Sequence, residues 1–130
     1  MNTTASKITP QLKLSVDELN DLIIDSIQDI KGINVLKLDL KKLHDSPVDY
    51  FIICEGESHV QVRAIAENIQ RRLKQEAKTF ASNTEGMKNA YWVCLDYFHT
   101  VVHIFYHEAR KFYELEELWS DASFTTYDNL

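Results

Sequence analysis

Two dense apolar runs, YWVCLDY and TVVHIFY, occupy residues 91–97 and 100–106 with only Phe98 and His99 between them. Both are rich in β-branched and aromatic residues, and so short a gap between two strand-like runs calls for an antiparallel hairpin. The connection contains no glycine, which is unusual for so tight a turn. The chain has three glycines, two prolines and 45% hydrophobic residues in 130, enough for one domain with a real core.

The hairpin stretch also carries His99, His103 and His107 at steps of four. On a helix, residues four apart lie within ~6 Å and can share a zinc ion. On a strand, His103 and His107 lie ~13 Å apart, too far for one tetrahedral ion. TVVHIFY has four β-branched and two aromatic residues, and HTVVH lacks the glutamate of a zincin helix. Strand geometry therefore argues against a shared metal, and the histidines are expected to pair with neighbouring carboxylates or backbone groups. A cross-strand site built from Cys94, Asp96 and one histidine is the alternative.

Upstream, the S-V-D-E of residues 15–18 reads as a capping box, and Leu19, Leu22, Ile23, Ile27 and Ile30 form the apolar stripe of a helix that Gly32 would stop. INVLKLDL alternates Leu36, Leu38 and Leu40 against Lys37 and Asp39, a strand with one covered face. VDYFIIC, residues 48–54, is nearly continuous in apolar residues and reads as the central strand. Ser58 and Gln61 suggest a second capping box, opening a helix with Val62, Ile65, Ala66, Ile69 and Leu73 inward. TFASN is a short strand candidate, and HEARKFYELEELW has helical spacing through Ala109, Phe112, Leu115 and Trp119.

The expected fold is α/β (α+β): a single domain with a mixed β-sheet of about five strands flanked by helices. Residues 1–14 read as a flexible N-terminal arm, 15–120 as the domain and 121–130 as a mobile tail. Cys54 and Cys94 sit inside apolar runs without a CxxC pattern and are expected as free thiols. No apolar window reaches the ~18 residues of a membrane span, and the N-terminus lacks a signal-like run, so a cytoplasmic protein without membrane contact is expected. A net charge of −6 opposes broad phosphate binding and suits a basic protein partner. QRRLKQEAK is locally basic and YELEELWSD locally acidic, which solvated helix faces explain. No P-loop, GxSxG or GxGxxG occurs, and neither cofactor nor metal is expected.

Several short stretches together resemble the ribosomal silencing factor, or Iojap-like, family. They are KGINVLKLDL, VDYFIIC with Asp49 and Cys54, AIAENI, Glu85 and Gly86 followed by Trp92, the LDY of residues 95–97, VVHIF, and EARKFYELEELWSDA. Their order and spacing cover roughly residues 15–122. The chain departs from the family at CEGES, followed by His59, Val60 and Gln61, where T-G-T-S-S and Arg-His are usual. It departs again at Phe98 and His99, where Gly-Asp is common.

The resemblance implies a nucleotidyltransferase-like fold without the active site, and LDL with its single Asp39 lacks the paired carboxylates such an enzyme needs. It implies binding to the large ribosomal subunit through ribosomal protein number fourteen, sterically blocking the small subunit and repressing translation, with little direct nucleic-acid binding. On a shared strand face, Trp92 and Asp96, with Tyr97 and Phe98 at the turn, are the expected partner contacts, with Lys88 and His99 at the rim. Glu85 and Gly86 would shape the loop beneath Trp92. The alternatives are a divergent nucleotidyltransferase-like enzyme and a homodimeric interaction module with another partner.

Overall fold

The structure is a computed structural model, and it describes residues 14–110, 117 and 119–130. Residues 1–13 of the expected N-terminal arm, and most of the acidic run with Phe112 and Leu115, lie outside those residues.

Helix α1 (Val16–Asp29) starts as the sequence demands: Ser15 accepts from the Glu18 amide, and the Glu18 carboxylate accepts from the Ser15 amide. Its end differs in detail. Lys31, at φ 66°, takes the left-handed position, with Lys31 N–H to Gln28 and Gly32 N–H to Ile27 closing the turn. Gly32 is needed one residue later for space, because a Cβ there would lie 2.4 Å from Ile27 Cγ2.

Strands β1 (Ile33–Asp39) and β2 (Tyr50–Gly56) pair antiparallel, and every residue of β2 is buried, the apolar run of residues 50–54 together with Glu55 and Gly56 at its end. Helix α2 (His59–Ala77) follows, capped by Ser58, which accepts from the Gln61 amide. The Gln61 side chain does not return to Ser58. It accepts from the Glu57 amide and donates to the Ile30 and Lys31 carbonyls, tying the start of α2 to the end of α1.

Three strands come next: β3 (Asn83–Glu85), β4 (Trp92–Asp96) and β5 (Thr100–Tyr106). The TFASN strand is thus displaced towards the loop. A helical segment, α3 (His107–Arg110), leads into residues that are not described, and β6 (Ser123–Thr126) closes the chain. The sheet is mixed and six-stranded, in the order β3-β4-β5-β2-β1-β6, with β2 and β5 parallel.

A sixth strand joins the expected mixed sheet of about five, formed within the segment 121–130 that reads as a tail in sequence. Ser123–Thr126 pairs with Asp39–Leu36, and the edge of β1 would otherwise leave a row of backbone groups unpaired.

The sheet has two unlike faces. One packs Ile52, Cys54, Val93, Leu95, Val102 and Ile104 against the α1 and α2 stripes, including Ile23, Ile27, Ile65 and Ile69. The other carries Leu36, Leu38, Leu40, Phe51, Ile53 and Phe105, with Trp92, Val101, Trp119 and Ala122 around them.

Candidate functional site

The second face is where most of the residues selected from sequence converge. In β4 the register sets Trp92 opposite Phe105, Cys94 opposite His103 and Asp96 opposite Val101. On the other side β3 sets Glu85 opposite Cys94 and Asn83 opposite Asp96. Paired residues in an antiparallel ladder share a face, so this whole set projects away from α1 and α2.

The Trp92 indole stacks on Phe105 with ring centroids 5.2 Å apart and planes 25° apart. Its Nε1–H donates to His103 Nδ1 at 2.9 Å. An indole nitrogen can only donate, so Nδ1 accepts and the His103 proton sits on Nε2. That Nε2 is buried without a hydrogen-bond partner among the described residues. Burial pushes the imidazole down to about 4, keeping it neutral. Cys94 Sγ lies 3.5 Å from the same Nδ1, and burial pushes that thiol up to about 11. Neither group is poised for proton transfer or nucleophilic attack near neutral pH. With its polar edge satisfied inside the protein, Trp92 offers an apolar surface suited to packing.

The remaining selected residues spread along a strip rather than forming one cluster. Trp92 and Asp96 are four steps apart on β4, ~13 Å. At one end Phe98 is 75% exposed. Its φ is 69°, and its amide donates to Asp96 Oδ1 at 2.9 Å. The hairpin forms without glycine because Phe98 itself adopts the left-handed conformation glycine would take at the first turn position. His99 is exposed beside it, with Nδ1 3.0 Å from Asp49 Oδ2. At the other end Lys88 is exposed in the loop between β3 and β4, a loop held by Arg63 donating to the Met87 and Lys88 carbonyls. Gly86 has φ 86°, and a Cβ there would meet the Trp92 carbonyl oxygen at 2.1 Å, so glycine lets the loop pass under Trp92. Glu85, exposed, accepts from Asn83.

Tyr97 is the exception and requires correction. It is only 3% exposed and packs with the helix-facing core. Its place one residue beyond Asp96 turns it to the opposite face, and burial pushes its phenol up to about 12. It presents no surface on the face that carries Trp92.

The sequence selection passed over Val101, His103 and Phe105, which complete the face. Their signal was present: TVVHIFY alternates these three with Val102 and Ile104, and the hairpin pairing determines which set joins Trp92. The three spaced histidines have separate partners, with His107 Nδ1 2.6 Å from Glu55 Oε1. Both cysteines are free thiols.

A family model described as "Ribosomal silencing factor during starvation" matches residues 13–130. Among curated proteins, a ribosomal silencing factor of Halalkalibacterium halodurans is 37% identical over 109 residues, covering 84% of this chain and 92% of that protein. A ribosomal silencing factor of Chromobacterium violaceum is 35% identical over 106 residues, covering 82% and 85%. The Iojap-related mitochondrial protein of Arabidopsis thaliana is 32% identical, covering 75% of this chain and 54% of its own length. Of solved structures, one protein from Chromobacterium violaceum superimposes with a TM-score of 0.78 at 34% identity, covering 82% of this chain and 88% of the other. One from Bacillus halodurans gives 0.70 at 36%, covering 79% and 94%.

Proposed function

The chain belongs to the ribosomal silencing factor family, a family of translational regulators, and from that premise we propose that it binds the large ribosomal subunit and blocks subunit joining by occupancy. The contact is a protein on the joining face of that subunit, the ribosomal protein numbered fourteen that the family resemblance points to. Trp92, Asp96 and Phe98 form the contact strip, and Lys88 and His99 flank it. Tyr97 supports the turn from within.

The observation that carries this reading is the β4 face itself. A tryptophan with its polar edge already satisfied lies in line with an exposed Phe98 that the hairpin holds outward. Aromatic anchors of this kind dominate protein interfaces, and the net charge of −6 favours encounter with a basic protein. Steric blocking needs no bond-making chemistry, which fits a face whose titratable groups are neutral or paired.

Co-sedimentation tests it. The purified chain should travel with isolated large subunits in a gradient, and the surface variant carrying Phe98→Ser and Lys88→Glu should remain at the top. Failure of the unaltered chain to enter the large-subunit peak at micromolar concentration would refute the reading.

A further inference from the structure

On the other side of the sheet, a cleft of about 420 Å³ opens between the last turns of α2 and the segment leading into β3, lined by Gln70, Arg71, Lys74, Phe80, Thr84 and Tyr97 among others. We propose that it binds a small phosphate-bearing ring compound, of the class of nucleoside monophosphates.

Three independent features meet there. The first is charge: in a chain with net charge −6, the described residues lining this cleft include two cations, Arg71 and Lys74, and no carboxylate. Arg72 nearby is consumed by Asp25, Asp29 and Glu76. Arg71 instead hydrogen-bonds neutral partners, donating to Asn68 Oδ1 and Gln75 Oε1, and feels the Glu76 carboxylate only at longer range, so much of its charge stays available for an anion. Asn68 is itself fixed by donating to the Ser26 carbonyl at 2.8 Å, which positions the guanidinium from below.

The second feature is a displayed aromatic ring. Phe80 is 63% exposed, and Lys74 Nζ lies 6.0 Å from its centroid. Lys74 Nζ lies over that ring, so a flat ligand ring stacking there would take the place of the ammonium and leave it free to meet the phosphate, the combination by which aromatic and cationic side chains hold nucleotides.

The third is an unpartnered polar group. Tyr97 is 3% exposed and contributes to the cleft wall, and its hydroxyl has no hydrogen-bond partner among the described residues. A buried hydroxyl without a partner is costly, and a ligand oxygen would supply the missing partner. The cleft volume falls in the range of small-molecule sites, and the amides of Gln70 and Gln75 can read polar edges of the ring or sugar.

The test is an amide-shift titration of the full chain, labelled with nitrogen-15, using adenosine and guanosine 5′-monophosphate, with adenosine and inorganic phosphate as separate arms. Saturable shifts at Lys74, Phe80 and Thr84 are expected, with a nucleotide bound roughly tenfold more tightly than either half alone. Lys74→Glu should weaken nucleotide binding roughly tenfold in a chain that remains folded. Phe80→Ser should reduce it to the level of inorganic phosphate, and Tyr97→Phe should weaken it several-fold in a folded chain. The proposal is overturned by shifts that do not saturate, by phosphate binding as tightly as the nucleotides, or by unchanged affinity in the folded Lys74→Glu chain.

Discussion

Phe98 carries two opposed demands. Its left-handed φ of 69° costs a non-glycine residue about 1 kcal/mol, yet the same conformation holds its ring in solvent at the tip of the hairpin. Phe98→Gly should therefore raise stability by up to about 1 kcal/mol in urea denaturation while weakening attachment to the large subunit. A variant that is both less stable and fully competent to bind would contradict the role given to this side chain. His103 makes a second residue-scale prediction. Its imidazole lies near 6.5 in an unfolded chain and about 4 in the fold, so between those values the unfolded chain binds a proton that the fold excludes. Its contribution to stability is full above about pH 6.5 and falls by about 3 kcal/mol as pH drops towards 4. Denaturation curves at the two ends should show the loss, and His103→Gln, which keeps an acceptor for Trp92 but cannot titrate, should flatten it.

Between elements, the buried carboxylate of Glu55 joins β1, β2 and α3. It accepts from Arg110 Nη1 at 2.8 Å and Asn34 Nδ2 at 3.0 Å and pairs with His107, while Arg110 also donates to the Asn34 carbonyl. Arg110→Ala would leave that carboxylate short of its strongest partner and should cost about 2 kcal/mol in thermal or chemical unfolding. Adding Glu55→Gln should recover part of the loss, because an amide is cheaper to bury than a charge; no recovery would mean that Arg110 acts through packing alone.

At this scale the sequence was most legible where one local rule operates. The Ser15–Glu18 box, the buried run of β2 and the short gap between β4 and β5 each name their own structure. It was least legible where a distant partner decides. SFTT has no strong periodicity, and it becomes a strand because β1 offers an open edge. Tyr97 is ambiguous in sequence because a residue beside a turn can continue either the strand alternation or the loop, and only the core around Leu95 and Val93 settles which. His103 and Phe105 could be seen on one face of their strand, but only the pairing register brings them to Trp92.

For the molecule as a whole, the sheet divides the work. α1 and α2 cover one face, and the apolar cluster between them and the sheet is larger than the one on the other face. The other face is covered near Phe51 by Trp119, whose ring lies 6.0 Å away, and bears the Trp92–Asp96 strip towards its β3 edge. A six-stranded sheet is a suitable backing for the proposed contact strip. The claim that binding alone silences the ribosome is tested most directly by subunit joining, followed by light scattering as small subunits are added to large ones pre-incubated with the chain. Joining should fall in proportion to the large subunits occupied and return to normal with the Phe98→Ser, Lys88→Glu variant. Undiminished joining at full occupancy would contradict it.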